Sequence, residues 1–237
     1  VKQFLERMTL VQSGGLELEA LYHQGRGGLP VVIAPPHPSL GGSMDHALCA
    51  ELAWALSRAG HATLRFNYRG VGASQGKGHV TTPSADEELE DLAAAARQLA
   101  GSERAEEVGV AGYSLGAFLA ARLVLEHPSG VARLALVAPP TRLYVFDFAA
   151  LSATGTPVLV VAGGEDRYVD AGQLEEADRL HGITVHRVPE VDHGFQRGLV
   201  EAGREVALHM DGGSASRDRE LPDDGPSLEL DRGEVKP

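Results

Sequence analysis

The sequence predicts an α/β fold: a mostly parallel sheet of eight strands, helices on both faces and an antiparallel hairpin at the start. Three observations carry that prediction. Short continuous runs of Val, Ile, Leu and Ala recur at "LPVVIAPP", "EVGVAGY", "ARLALVAPP" and "TPVLVVAGG", and such runs suit strands covered on both faces, as parallel strands are. Between them lie longer stretches with apolar residues at helical spacing. Strand and helix alternate down the chain, which winds a parallel sheet with right-handed crossovers.

Taken in order, "ERMTLVQSGGLELEALYHQ" holds two β-like runs around Ser-Gly-Gly and reads as the hairpin. The strand "LPVVIAPP" follows, then an amphipathic helix in "SMDHALCAELAWALSRAG", with Ser43 as the expected cap and Gly60 as the stop. "HATLRFNY" is a strand. "SADEELEDLAAAARQLAG" is a helix whose first turn is acidic, as the helix dipole favours. "EVGVAGY" is a strand, and "SLGAFLAARLVLEHP" a helix ending near Pro128. Two buried strands, "ARLALVAPP" and "TPVLVVAGG", come next. A helix in "DAGQLEEADRLHG", a strand in "ITVHRVPE" and a closing helix in "FQRGLVEAGREVALHM" complete the series.

One domain over residues 1–210 is expected, since single α/β domains reach this length. From Asp211 onward eight acidic residues face four basic ones among scattered Gly, Ser and Pro. Such a stretch buries too little apolar area to offset its ordering entropy, so 211–237 reads as a disordered acidic tail. The whole chain carries a formal charge of -12 without a Lys/Arg cluster, which argues against nucleic acid as a partner. No window approaches a membrane span, and "VKQFLERMTLV" lacks the apolar stretch of a secretory signal. Cys49 is the only cysteine, so no disulfide framework exists. It lies on an apolar helical face and reads as a small buried hydrophobe. A reducing compartment, the cytoplasm, fits these features.

In a sheet of this kind chemistry gathers past the carboxyl ends of the strands, and the fifth strand runs into "GVAGYSLGAF". Strand, Gly-x-Ser-x-Gly and helix together make a nucleophile elbow. The bend is so sharp that side chains at Gly112 or Gly116 would collide with nearby backbone, while Ser114 is forced into a strained conformation with its hydroxyl exposed. The Leu115 amide, opening a helix, lacks an internal partner and faces developing negative charge. A serine hydroxyl needs a base, and the base needs an orienting acid. "GGEDRYVD" offers Asp166 first, with Glu165 as substitute and Asp170 as a further acid; "EVDHGF" offers His193. His23, His61, His127, His181, His186 and His209 lie away from that rim and read as packing or surface residues.

A second donor for an oxyanion is expected from the loop "PPHPSLGGSMDH", at the amide of Ser39 or Leu40, because Pro38 has no N–H. His37 and His46 in that loop lack a third ligand at metal-binding spacing, so neither a metal nor a cofactor is expected. Tyr113, Tyr144, Phe146, Tyr168 and Phe195 are candidates for a substrate pocket, with ordinary packing as the alternative. Arg142 and Arg167 suit either a substrate carboxylate or solvated surface charge.

The segments "PHPSLGGSMD", "LRFNYRGVGASQG", "AGYSLGAF", "GGEDRYV" and "VDHGF" stand in the order seen in small bacterial α/β hydrolases, and over residues 16–210 the chain resembles the dienelactone-hydrolase-like and esterase-like members of that superfamily. The resemblance implies a Ser114, Asp166, His193 triad with the Leu115 and Ser39 amides as oxyanion hole. It also makes the Arg69, Gly70, Gly72 and Ser74 loop structural. Dienelactone hydrolases proper use a cysteine where this chain has serine. Only "TRLYVFDFAALSATG" separates the sixth and seventh strands, too short for a lid domain. These features imply a lidless serine hydrolase, a carboxylesterase acting on small-molecule esters. The alternatives are a thioesterase, peptidase or amidase with the same triad, or a non-catalytic binding module.

Overall fold

The computed structural model describes residues 5–77 and 85–213. Arg7–Ser13 (β1) and Leu16–His23 (β2) pair antiparallel with Ser13 opposite Leu16. β2 pairs antiparallel with Thr63–Phe66 (β4), and from there the sheet is parallel. The remaining strands are Val31–Ala34 (β3), Val108–Tyr113 (β5), Val131–Val137 (β6), Val158–Gly163 (β7) and Ile183–Val188 (β8). Their order, β1-β2-β4-β3-β5-β6-β7-β8, puts β5 inside the sheet. The architecture is the one expected from the alternating pattern.

β3, β5 and β7 are buried along their whole length because alternate side chains serve two cores. Val31, Ile33, Ala111, Tyr113, Leu159 and Val161 face Ala47–Ala59 (α1) and Leu199–Met210 (α6). Val32, Val110, Leu134 and Val160 face the opposite way, toward Asp86–Glu103 (α2) and Leu115–Glu126 (α3). Phe148–Ala153 (α4) and Ala171–Ala177 (α5) add Leu151 and Leu174 to that second core. Among the described residues no helix is long and apolar enough to cross a membrane.

The loop after β4 is tied down by a buried carboxylate. Asp91 of α2, fully buried, accepts from the Arg69 backbone amide at 2.9 Å, from Arg69 Nη2 at 2.7 Å and from the Ser13 hydroxyl at 2.7 Å. One side chain thus joins β1, α2 and this loop, in keeping with the structural role expected of Arg69.

Four local expectations are corrected. α1 is capped by His46, whose Nδ1 accepts from the Leu48 amide at 3.2 Å, whereas Ser43 caps only the preceding turn through Asp45. α5 stops at Ala177 rather than running to residue 182. α6 begins at Leu199, because Phe195 takes a left-handed conformation (φ 51°) and turns its ring into the core. α4, capped by Asp147, was not expected at all. The buried reading of Cys49 holds, and burial pushes its thiol up to about 12. Residues 214–237 of the expected tail lie outside the described residues.

Candidate active site

β5 ends at Tyr113 and α3 begins at Leu115, so Ser114 alone makes the bend. Its φ of 56° and ψ of -114° are costly for any residue with a Cβ. The glycines on either side let the bend close. A Cβ on Gly112 would stand 2.1 Å from the Gly116 carbonyl oxygen, and one on Gly116 would stand 2.2 Å from that of Ala34. The elbow therefore packs directly on the backbone that leaves β3.

The partners of Ser114 come from the next loops along the same edge of the sheet. Ser114 Oγ donates to His193 Nε2 at 2.9 Å, and His193 Nδ1–H donates to Asp166 Oδ2 at 2.7 Å. The Asp166 side chain is fully buried while the His193 ring keeps a fifth of its surface open, so the carboxylate is sealed from solvent and the imidazole is not. The other oxygen of Asp166 accepts from the Tyr168 amide at 2.9 Å, which orients the carboxylate. Glu165 is exposed, and Asp170 caps α5 through the amides of Gly172 and Gln173.

Two features bring the acid and histidine loops together. A Cβ on Gly163 would stand 2.2 Å from the Val191 carbonyl oxygen, and that same oxygen accepts from the Glu165 amide at 2.9 Å. Beneath His193, the Tyr113 hydroxyl donates to the His193 carbonyl at 2.9 Å, and Phe195, two residues on, is fully buried. Burial, with smaller contributions from Cys49, Asp166 and Asp192, raises the Tyr113 phenol well above its ordinary range, so it stays protonated and remains a donor. The Tyr113 ring lies between His193 and His46, with centroids 5.9 and 4.8 Å away. Burial and then the nearby His193 lower His46 from its ordinary value, and burial does the same to His37.

The pocket candidates separate by contact. Tyr168 packs edge-on against the His193 ring at 4.8 Å and so borders the site. Tyr113 holds the histidine loop from below. Phe195 belongs to the core under α6, and Phe146 to the core beside Phe118 and Phe148; both are withdrawn from the site by burial. Tyr144 stacks on Phe118 at 4.4 Å, half-buried.

Of the two amides expected to bind an oxyanion, that of Leu115 opens α3 at the elbow. The Ser39 amide is already engaged by His37 Nδ1 at 3.2 Å within the short 3-10 turn Pro38–Leu40, and the residue is exposed. Pro35, Pro36 and Pro38 have no N–H, so His37 carries the first backbone amide past β3.

A parallel sheet with a serine on the bend after an inner strand, met by a histidine and a buried acid from two later loops, defines the class of α/β hydrolases. The profile of the serine aminopeptidase (S33) family matches residues 40–151. An α/β serine hydrolase homologue from Coxiella burnetii superposes with a TM-score of 0.73 at 30% identity, over 85% of this chain and 95% of that one. A lidless α/β serine hydrolase from Xanthomonas campestris shares the fold at TM-score 0.70 and 23% identity, over 86% and 93%. An uncharacterised Rickettsia prowazekii protein is 30% identical over 157 residues, 65% of this chain and 64% of that protein's length. The chain belongs to the α/β-hydrolase superfamily, and among the described residues only the short helix α4 stands between β6 and β7, with no lid domain there.

Proposed function

We propose that the chain hydrolyses carboxylic esters of small molecules through an acyl-enzyme formed on Ser114. His193 Nε2 takes the Ser114 proton as Oγ attacks the carbonyl carbon. The same Nε2–H then protonates the departing alkoxide, and water repeats both steps on the acyl group to release the acid. Asp166 holds the imidazole with its proton on Nδ1 and stabilises the imidazolium. The Leu115 amide and the His37 amide, taking the place expected for Ser39, hold the oxyanion; such a donor contributes on the order of 3 kcal/mol to the transition state.

What supports this reading above all is the hydrogen-bonded line from Ser114 through His193 to Asp166 on a strained elbow. A peptidase reading is favoured separately by the S33 profile. The test is a panel of nitrophenyl esters, thioesters and amino-acyl anilides, with fluorophosphonate labelling. Ester turnover well above anilide turnover and a label on Ser114 are expected. Faster anilide cleavage would move the assignment to peptidase, and a folded sample that takes no label would make the chain a binding module.

Tyr113→Phe deletes only the hydroxyl that holds the His193 carbonyl. It is expected to lower kcat about tenfold with KM unchanged, since a lost hydrogen bond of about 1 kcal/mol or somewhat more acts here on the base and not on substrate. A change confined to KM would place Tyr113 in the substrate pocket instead.

A further inference from the structure

A cleft of about 310 Å³ lies behind Asp166, on the side away from Ser114's bend along the sheet, between the end of β7, the start of α5 and β8. Three arginines stand in its wall, each from a different segment: Arg142 from the connection after β6, Arg167 from the loop after β7, and Arg187 from β8. Each guanidinium is held by a neutral oxygen. Arg142 Nε donates to the Val169 carbonyl at 3.1 Å, Arg167 Nη2 to the Tyr168 hydroxyl at 2.9 Å, and Arg187 Nη2 to the Ala171 carbonyl at 3.0 Å.

Single bonds of this kind direct a guanidinium while leaving most of its five N–H donors unused. Among the described residues neither Arg142 nor Arg167 forms an ion pair, and Arg187 meets Glu175 only at 3.8 Å. Glu165 is the one acid in the wall besides Asp166, whose carboxylate is committed to His193. In a chain of net charge -12, three arginines therefore line one cleft beside a single uncommitted wall carboxylate, Glu165.

We infer that this cleft binds an anionic group, a carboxylate or a phosphate, gripped by Arg142, Arg167 and Arg187. Planar forks of N–H donors match the oxygens of both groups, and charge-assisted bonds to them are the strong ones. The cleft also touches the reactive site. Arg167 lies over the Tyr168 ring at 4.9 Å, and Tyr168 packs against His193, so an anion drawing on Arg167 bears on the wall of the catalytic histidine.

The test titrates inorganic phosphate at constant ionic strength, followed by calorimetry and thermal unfolding. Both readouts work without turnover, so failure of this site and failure of the esterase reading are separate results. A saturable rise in Tm is expected. Arg142→Gln or Arg187→Gln should weaken binding roughly tenfold each, and the pair together should abolish it. All three side chains are exposed, so the variants are expected to fold. Absence of saturable binding, or binding that survives the double variant, would overturn the inference. A nitrophenyl hemisuccinate then identifies the source: phosphate that competes with it marks the anion as part of the substrate, and phosphate that binds without competing marks a separate small anion. Either of these outcomes upholds the site.

Discussion

Ser114→Ala is expected to lower turnover of a short nitrophenyl ester by about a millionfold, with the protein still folded. The scale follows from serine nucleophiles that act as a unit with their base, where losing either member removes nearly all the covalent chemistry. His193→Ala should therefore cost about as much, and the double variant should be no worse than either single one. Asp166→Ala should cost less, on the order of ten-thousandfold, because it orients a base that is still present. Stability should move little in Ser114→Ala, since the hydroxyl makes a single side-chain bond, at 2.9 Å to a ring that keeps a fifth of its surface open, and alanine inherits the same strained φ. Turnover that persists, or losses that simply add, would refute the assignment of these residues.

Asp91→Ala is expected to destabilise the fold by about 3–5 kcal/mol, the usual cost of removing one partner from a buried charge pair. Arg69, whose side chain is 9% exposed, would lose its fully buried partner and, among the described residues, keep Glu87 and Glu90 at the rim. The Arg69 amide and the Ser13 hydroxyl would lose their acceptor too. Asp91→Asn retains one acceptor oxygen and should cost clearly less. Urea denaturation checks both variants; a loss under about 1 kcal/mol for Asp91→Ala would mean that the three segments are held by packing and not by this carboxylate.

Much of the site was legible because its signals are local. The bend at Ser114 needs glycine at 112 and 116 wherever the rest of the chain goes, and the order serine, acid, histidine is read along the line. Choosing Asp166 over Glu165 also had a local handle, the turn after Gly163, whereas the contact that brings the two loops together is distant: Gly163 meets Val191, and Asp166 Oδ2 lies 2.7 Å from His193 Nδ1. Less legible were the aromatic residues. Phe195 and Tyr113 flank the reactive residues in sequence, but Phe195 fills the core and the Tyr113 hydroxyl reaches a carbonyl 80 residues away.

By itself the sequence determined the strands, the helices, their alternation and the strained bend, because each depends on side-chain periodicity or on backbone sterics within a few neighbours. Only the tertiary structure decided which groups meet. His193 lies 79 residues from Ser114 and 27 from Asp166. The three arginines come from separate segments, and the Ser39 amide is taken by a ring two residues before it. Where a loop side chain points is set by packing against remote backbone, and no periodic pattern encodes that.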